Sequence, residues 1–161
     1  MDRARSTSRY GTPGQCWLLV VAHPDAAEWI VENRRMAFRA GTNPSPKHLA
    51  VDDRCAVYVT TRALGPIGRE GPQILAHGRV SSDLHNVEIE VAGMKFATWC
   101  ELDLTEVLPL GAGLPFRPLV PQLSWIKPRS RWNLSIMRTL VRVPEQDFDY
   151  IQAEFSRHAS R

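Results

Sequence analysis

The run CWLLVVA, from Cys16 to Ala22, is the longest apolar stretch of this 161-residue chain. A stretch of seven residues has the length of a strand, and its paired valines are β-branched side chains that favour extended backbone. The run is continuous rather than alternating, which is typical of a strand buried on both faces. The sequence therefore predicts a central strand here, with protein packed against each of its sides.

A helix is predicted directly after this strand, which His23-Pro24 ends. Asp25 stands as a candidate N-cap with Glu28 three residues on, the spacing of a capping box. The helix should run from about Ala26 to Met36. Its apolar face would consist of Ala27, Ile30 and Val31, with Trp29 packing beside them.

Further strands are indicated by alternating or short apolar runs along the chain. They are RCAVYVTT (54–61), ILAHGRV (74–80), NVEIEV (86–91), KFATWCELDL (95–104) and VRV (141–143). Ala92-Gly93 is predicted to be a hairpin turn. A short helix should open after Ser130, turning Trp132, Ile136 and Met137 inward, and a last helix should begin near Pro144.

This order of elements predicts a mixed α/β (α+β) fold. Several short, mostly antiparallel strands with few helices suggest a curved β-barrel of about five to six strands, flanked by two to three helices. Residues 1–14 are polar and are predicted to form a flexible tail, and residues 15–157 a single domain.

Composition narrows the class of protein. The formal net charge is +3 and the sequence pI about 9.0, which mildly favours an anionic partner. No apolar run approaches the roughly 18 residues of a membrane span, and the N-terminus lacks the apolar segment of a secretory signal. The expectation is a cytoplasmic protein with no membrane partner; oligomeric state is left open.

No motif of catalysis or metal binding is found in the sequence. The chain has no GxxxxGK[ST], no HExxH, no GxSxG and no CxxC. Cys16, Cys55 and Cys100 lie about 40 residues apart in apolar segments, so buried, reduced thiols are expected. The sequence thus predicts no cofactor, no metal and no enzymatic activity.

Four features in order resemble the EVE domain, a branch of the PUA-like superfamily related to the YTH domain. The first is the opening strand with its aromatic residue, CWLLVVA. The second is FRAGTN, with Phe38, Gly41 and Asn43 at the family's aromatic, glycine and asparagine positions. The third is DDRCAVYVT, where Asp52 replaces the usual glycine, and the fourth is the C-terminal half from FRPLVPQLSWIKPRSRWN to VRVPEQDFDYI. The resemblance spans about Trp17 to Ile151.

The resemblance implies a PUA-like mixed barrel that recognises a nucleic acid without catalysis. DNA and RNA are both open, and the target would be a modified or flipped base held in an aromatic pocket. The implied pocket residues are Trp17, Phe38, Asn43, Tyr58, Thr60 and Trp125. Core packing is the alternative for each of these rings, and a turn or cross-strand role for Asn43, Tyr58 and Thr60.

A cationic segment would supply contacts to phosphate. Residues 127–142 contain five cations and no Asp or Glu, where ordinary composition gives about two acids. The predicted phosphate-binding residues are Lys127, Arg129, Arg131 and Arg138. A solvated basic surface is the alternative interpretation.

Two other functions stay open at this point. One is an accessory protein-interaction domain that has the fold without a working pocket. The other is a nucleotide-acting enzyme that uses His23 or Asp53.

Overall fold

The computed structural model describes residues 14–67, 71–127 and 129–161, apart from the side chain of Arg129. The predicted tail therefore lies almost entirely outside the described residues. Nine strands are described: β1 Cys16–Val21, β2 Arg35–Phe38, β3 Arg54–Val59, β4 Gln73–Val80, β5 Ile89–Val91, β6 Met94–Phe96, β7 Thr98–Val107, β8 Leu114–Pro115 and β9 Leu140–Val143. The α-helices are α1 Pro24–Asn33, α2 Thr61–Leu64 and α3 Glu145–Ala159.

One curled sheet organises the molecule, in the order β2-β7-β4-β3-β1-β9, with β8 paired to β4. β1 and β3 are parallel, and the other pairs of this sheet are antiparallel. β5 and β6 form a separate hairpin. The mixed α+β class is confirmed, with a curved sheet of six consecutively paired strands, to which β8 adds a seventh, and flanking helices.

The central strands are covered on both faces, as the continuous apolar run predicts. Trp17 and Leu19 of β1 point into one hydrophobic cluster, which α1 covers with Ala27 and Ile30. Cys16 and Leu18 point into a second cluster. α3 covers that second cluster with Phe148, Ile151 and Phe155. The alternating directions of strand side chains therefore divide one apolar run between two cores.

The expected capping box at Asp25 is wrong. The N-cap of α1 is His23, whose ring Nδ1 accepts a hydrogen bond from the Asp25 backbone N–H at 3.2 Å. Pro24 takes the first helical position, which suits a residue without an N–H. The helix ends at Asn33 because Arg34 adopts the left-handed conformation (φ 56°), and Met36 lies in β2 rather than in the helix.

The helix expected after Ser130 is a kinked 3-10 segment, Arg129–Ile136. Ile136 is buried and Trp132 half-buried, as expected. Met137 is 71% exposed, so its predicted inward direction is wrong. The residue lies beyond the helical segment, where the backbone no longer follows helical spacing.

The three cysteines are buried and free, which confirms the expectation for them. Burial raises the pKa of the Cys100 thiol to about 12. Within residues 14–67, 71–127 and 129–161, no helix has both the length and the apolar character to cross a membrane.

Candidate functional site

A cleft of about 480 Å³ opens where β1 ends and α1 begins. We call it the first cavity. Its walls are mostly apolar, and it contains a few polar or cationic groups, a composition and size typical of ligand pockets. The lining residues that bear on chemistry are His23, Trp29, Arg39, Thr42, Met94 and Phe96.

The first cavity draws its residues from elements that are distant in the chain. Trp29 lies on α1 next to the buried Ile30, so its ring packs against the core and also reaches the cavity. β2 ends at Phe38, which is fully buried, and the following residue, Arg39, is exposed.

The hairpin of β5 and β6 forms the opposite wall. Its turn lies at Ala92 and Gly93, as predicted, and both residues have positive φ. The guanidinium carbon of Arg39 lies 5.6 Å from the centroid of the Phe96 ring. One of its nitrogens, Nη2, donates to Met94 Sδ at 2.8 Å. A cation is thus held over an aromatic ring at the cavity wall.

A second cavity, of about 410 Å³, lies beyond the end of β3. Its chemically relevant lining residues are Tyr58, Thr60, Arg62, Arg117, Trp132 and Asn133. Among the described residues, neither the first nor the second cavity has an aspartate or glutamate in its lining. Both cavities therefore present cations and aromatic rings without a compensating carboxylate.

The two cavities are neighbours because both lie at the end of the sheet where the parallel strands β1 and β3 end. The Thr60 backbone N–H, in the second cavity, donates to the carbonyl of Val21, in the first, at 3.0 Å. The Val20 N–H donates to the carbonyl of Thr139 at 2.8 Å. Thr139 lines the first cavity and Met137 the second.

The aromatic rings expected in one pocket do not converge. Trp17 and Phe38 are 3% and 0% exposed in the cluster beneath α1, so they belong to the core. Tyr58 packs in the opposite cluster. Trp125 is half-buried and lines a separate cleft beside Arg142 and Pro144.

The polar residues of the expected pocket are also separated. Thr60 lies with Tyr58 in the second cavity, on the same side of the chain as their spacing predicts. Its hydroxyl also caps α2 by accepting from the Ala63 N–H at 3.1 Å. Asn43 is exposed in the loop after Thr42 and lines neither cavity.

Part of the cationic segment lines the two cavities, Thr139 the first and Trp132, Asn133, Ile136 and Met137 the second. Lys127, Arg131 and Arg138 are exposed, and the side chain of Arg129 is outside the described residues. Arg138 stands between Met137 and Thr139, so it lies on the ridge between the two cavities. Within the described ranges Arg138 takes part in no ion pair.

Neither residue of the enzyme hypothesis is arranged as a base for the first cavity. Asp53 is fully buried, and its carboxylate accepts from Gln15 N, Trp17 Nε1 and Ala50 N. Burial raises the pKa of this carboxyl group, against the effect of the hydrogen bonds. His23 lines the first cavity, but its Nδ1 is occupied in capping α1.

Several residues of the first cavity escaped the sequence analysis. Trp29 was expected only to pack, Arg39 was given no role, and Met94 and Phe96 carried no local motif. A usable signal was present for Arg39, which directly follows the aromatic residue of FRAGTN. For Met94 and Phe96 no local signal exists, because they lie in a separate hairpin that only tertiary packing brings to the end of β1.

No family model and no curated protein matches this chain. Among solved structures it is similar to a YTH domain-containing protein mmi1 in complex with RNA, with 12% identity, a TM-score of 0.40, and 66% of this chain and 64% of that chain covered. An Mmi1 YTH domain gives 12% identity, a TM-score of 0.41, and coverages of 64% and 57%. A third structure, also an Mmi1 YTH domain, gives 12% identity and a TM-score of 0.40. It covers 66% of this chain and 70% of that chain.

The chain spans 64% and 57% of the first two of these proteins. None of the three is described as an EVE domain. The resemblance to the EVE family therefore stays a prediction from the sequence.

Proposed function

We propose that this chain is a non-catalytic nucleic-acid-binding module that receives one unstacked base, modified or flipped, in the first cavity. The observation that carries the proposal is the composition of that cavity. It has apolar walls, two aromatic rings and an arginine, and its described lining contains no carboxylate. This combination suits a flat, partly polar ligand attached to an anionic backbone.

Trp29 is the ring that we assign to stacking. It is half-buried on α1, so it is held in place while part of it faces the cavity. Stacking of a base on an aromatic ring contributes about 1–3 kcal/mol. Flipping a base costs a few kcal/mol, least for a damaged or already unpaired base. A methyl group on the base would add about 0.8 kcal/mol in an apolar pocket.

Polar groups around the ring would read the edge of the base. His23 lines the cavity and offers a donor at Nε2, because its Nδ1 accepts from the Asp25 N–H. The Thr42 hydroxyl, which donates to the Arg39 carbonyl, offers an acceptor. Arg39 is fixed over Phe96 and supplies donors only. A ligand with acceptor atoms along one edge would fit this set.

Phosphate contacts would come from the cationic segment. Arg138 is exposed next to Thr139 of the first cavity, and Lys127 and Arg131 are exposed in the same acid-free segment. Contacts of this kind are independent of sequence and weaken as salt rises. The proposal therefore assigns affinity to these cations and selectivity to the cavity.

The test is a binding titration of the full chain with labelled single-stranded DNA and RNA, with and without modified bases, at low and high salt. We expect salt-sensitive binding that Trp29→Ala weakens by about 1–3 kcal/mol, because the stacking surface is lost. Trp125→Ala is the matched control, since this half-buried ring lines neither cavity.

Two outcomes would contradict the proposal. Absence of binding to every oligonucleotide at low salt would favour an accessory protein-interaction domain. Equal losses for Trp29→Ala and Trp125→Ala would move the base site away from the first cavity. Circular dichroism of each variant establishes that it is folded.

A further inference from the structure

The Tyr58 hydroxyl opens toward the second cavity and is not enclosed by the fold. The side chain is only 4% exposed, and its ring packs edge-on against Phe116 at 5.0 Å. Within the described residues, no group forms a hydrogen bond with this hydroxyl. Tyr58 lines the second cavity, so a ligand there can supply the missing partner.

Two arginines flank the same cavity. Arg62 and Arg117 are both exposed and line it. Neither forms an ion pair with any residue that the structure describes. Guanidinium groups match the geometry of phosphate oxygens, so these two would suit an anionic ligand in the cavity.

An aromatic wall completes the second cavity. Trp132 is half-buried and packs on Phe116 at a centroid distance of 5.7 Å, which fixes the indole at the cavity. The exposed Asn133 follows it and offers an amide donor and an acceptor. The cavity therefore combines a ring, two cations and edge-reading groups in one place.

The linings of the two cavities include residues that are only two positions apart in the chain. Met137 lines the second cavity and Thr139 the first. Their Cα atoms are at most about 7.6 Å apart, since consecutive Cα atoms are separated by 3.8 Å. The exposed Arg138 lies between them, at the place where a linking phosphate would pass.

We propose that the second cavity is a subsite for the nucleotide adjacent to the one in the first cavity. In this subsite Trp132 stacks with the base, Tyr58 donates to the base edge, and Arg62 and Arg117 bind the phosphate. The inference rests on the proposed function, and it adds a second recognised nucleotide to it. The proposed ligand is a single-stranded nucleic acid. Oligonucleotides with ribose and with deoxyribose distinguish RNA from DNA.

Burial supports the donor role of the hydroxyl. Burial raises the pKa of Tyr58, against a smaller opposing effect of Arg117. The phenol is therefore neutral at physiological pH and keeps its proton for donation.

The experiment measures the affinity of labelled ribose and deoxyribose hexanucleotides by fluorescence anisotropy. For the double variant Arg62→Ala/Arg117→Ala we expect at least a tenfold loss of affinity and a shallower salt dependence. For Tyr58→Phe we expect a severalfold loss with unchanged stability, because the ring remains and the removed hydroxyl has no protein partner. Arg142→Ala is the control for a positive charge lost outside the cavities, since Arg142 is an exposed arginine in β9 that lines neither of them.

The outcomes separate this inference from the function on which it rests. If the double variant loses no more affinity than Arg142→Ala, the second subsite is refuted, even where Trp29→Ala abolishes binding. If the double variant and Tyr58→Phe lose affinity while Trp29→Ala does not, the second cavity is supported and the base site in the first is refuted. If the wild-type chain binds no oligonucleotide at low salt, both proposals fail.

Discussion

At the scale of single residues, a hydrogen bond to the buried carboxylate of Asp53 fixes Trp17 as a core residue. Its Oδ2 accepts from Trp17 Nε1 at 2.9 Å and from the Ala50 N–H at 2.9 Å. A buried carboxylate must be hydrogen-bonded, because leaving it unsatisfied is costly. Asp53 therefore holds the Trp17 indole in the core, where a base cannot reach it.

Trp17→Phe should destabilise the fold by about 1–3 kcal/mol, since it removes a donor from a buried carboxylate. Urea denaturation followed by intrinsic fluorescence or circular dichroism measures the change. Trp125→Phe is the control, because Trp125 Nε1 is buried and unpaired among the described residues, so no hydrogen bond is lost there. Equal destabilisation of the two variants would show that ring volume dominates rather than the hydrogen bond.

At the scale of elements, Glu106 links β7 to β4 and α3. Its Oε1 lies 3.0 Å from His77 Nε2 and accepts from Ser156 Oγ at 3.0 Å. The hydrogen bond with His77 holds the pKa of the Glu106 carboxyl group below its usual range, although some desolvation opposes this. The ionised carboxylate is therefore favoured more in the folded state than in the unfolded state.

This shift predicts how stability depends on pH. A carboxyl group with a lowered folded-state pKa stabilises fully above its unfolded pKa, here 4.5, and the stabilisation is lost as the pH falls through the lower folded value. Urea midpoints of the wild type should thus fall below about pH 4.5, and Glu106→Gln should flatten this part of the profile. Asp103→Asn, an exposed carboxylate of the same strand, is the control. An unchanged profile in Glu106→Gln would refute the role of this link.

β4 and β7 approach each other closely at Gly78. A Cβ at this position would lie 2.0 Å from the Asp103 carbonyl oxygen and 2.7 Å from Leu104 Cα. The register of the two strands shifts between His77 and Gly78, so the approach is part of an irregularity in the ladder. Only glycine lets the strands pair in this way.

Gly78→Ala should destabilise the protein by about 3 kcal/mol or more, at the upper end for overpacking, because both colliding atoms are backbone. Gly93→Ala is the comparison: its Cβ would meet nothing within 4 Å, and only the positive φ of 78° opposes it. We expect a cost of about 1 kcal/mol there. Thermal unfolding of both variants measures the difference, and similar midpoints would contradict the close approach.

β2 begins where the sequence predicts that the first helix continues. The apolar residues from Ala26 onward continue past the helix end, so periodicity alone predicts a helix as far as Met36. The left-handed Arg34 stops it, and the next residues pair with β7. Arginine carries no local signal for that conformation, whereas Asp52, also left-handed at φ 77°, belongs to a residue type that tolerates it.

At the scale of the whole molecule, the sheet separates two cores, and both candidate cavities lie at the end of the sheet where β1 and β3 end. The first cavity forms where β1, α1, β2 and the β5–β6 hairpin meet, and the second lies past the end of β3. Arg138, on the ridge between them, and Arg142 lie in the same acid-free segment. They therefore provide a charge-matched pair at different places on the surface.

Arg138→Glu should weaken oligonucleotide binding across all sequences, whereas Arg142→Glu should change it little. Loss of one phosphate contact lowers the salt slope by about 0.7 for a single strand, and a reversed charge lowers it further. Anisotropy titrations at several salt concentrations measure both slopes. If Arg142→Glu weakens binding more than Arg138→Glu does, the bound oligonucleotide does not follow the ridge between the two cavities.

The sequence by itself determined the elements whose signals are local. The continuous run at Cys16–Val21 specified a strand buried on both faces, Ala92-Gly93 specified a hairpin turn, and Pro144 marked the start of the last helix. It also carried the charge pattern of residues 127–142, since counting acids needs no structure.

Only the tertiary structure decided which rings lie in the core and which line a cavity. Trp17 and Trp29 differ little as sequence signals, yet one is held by Asp53 and the other lines the first cavity. That cavity combines residues from 20–42, 91–96 and 139. Strand pairing places residue 139 beside β1, and the packing of the separate β5–β6 hairpin adds residues 91–96. A pattern local to any one of these segments cannot specify the site, because its geometry arises from the packing of all of them.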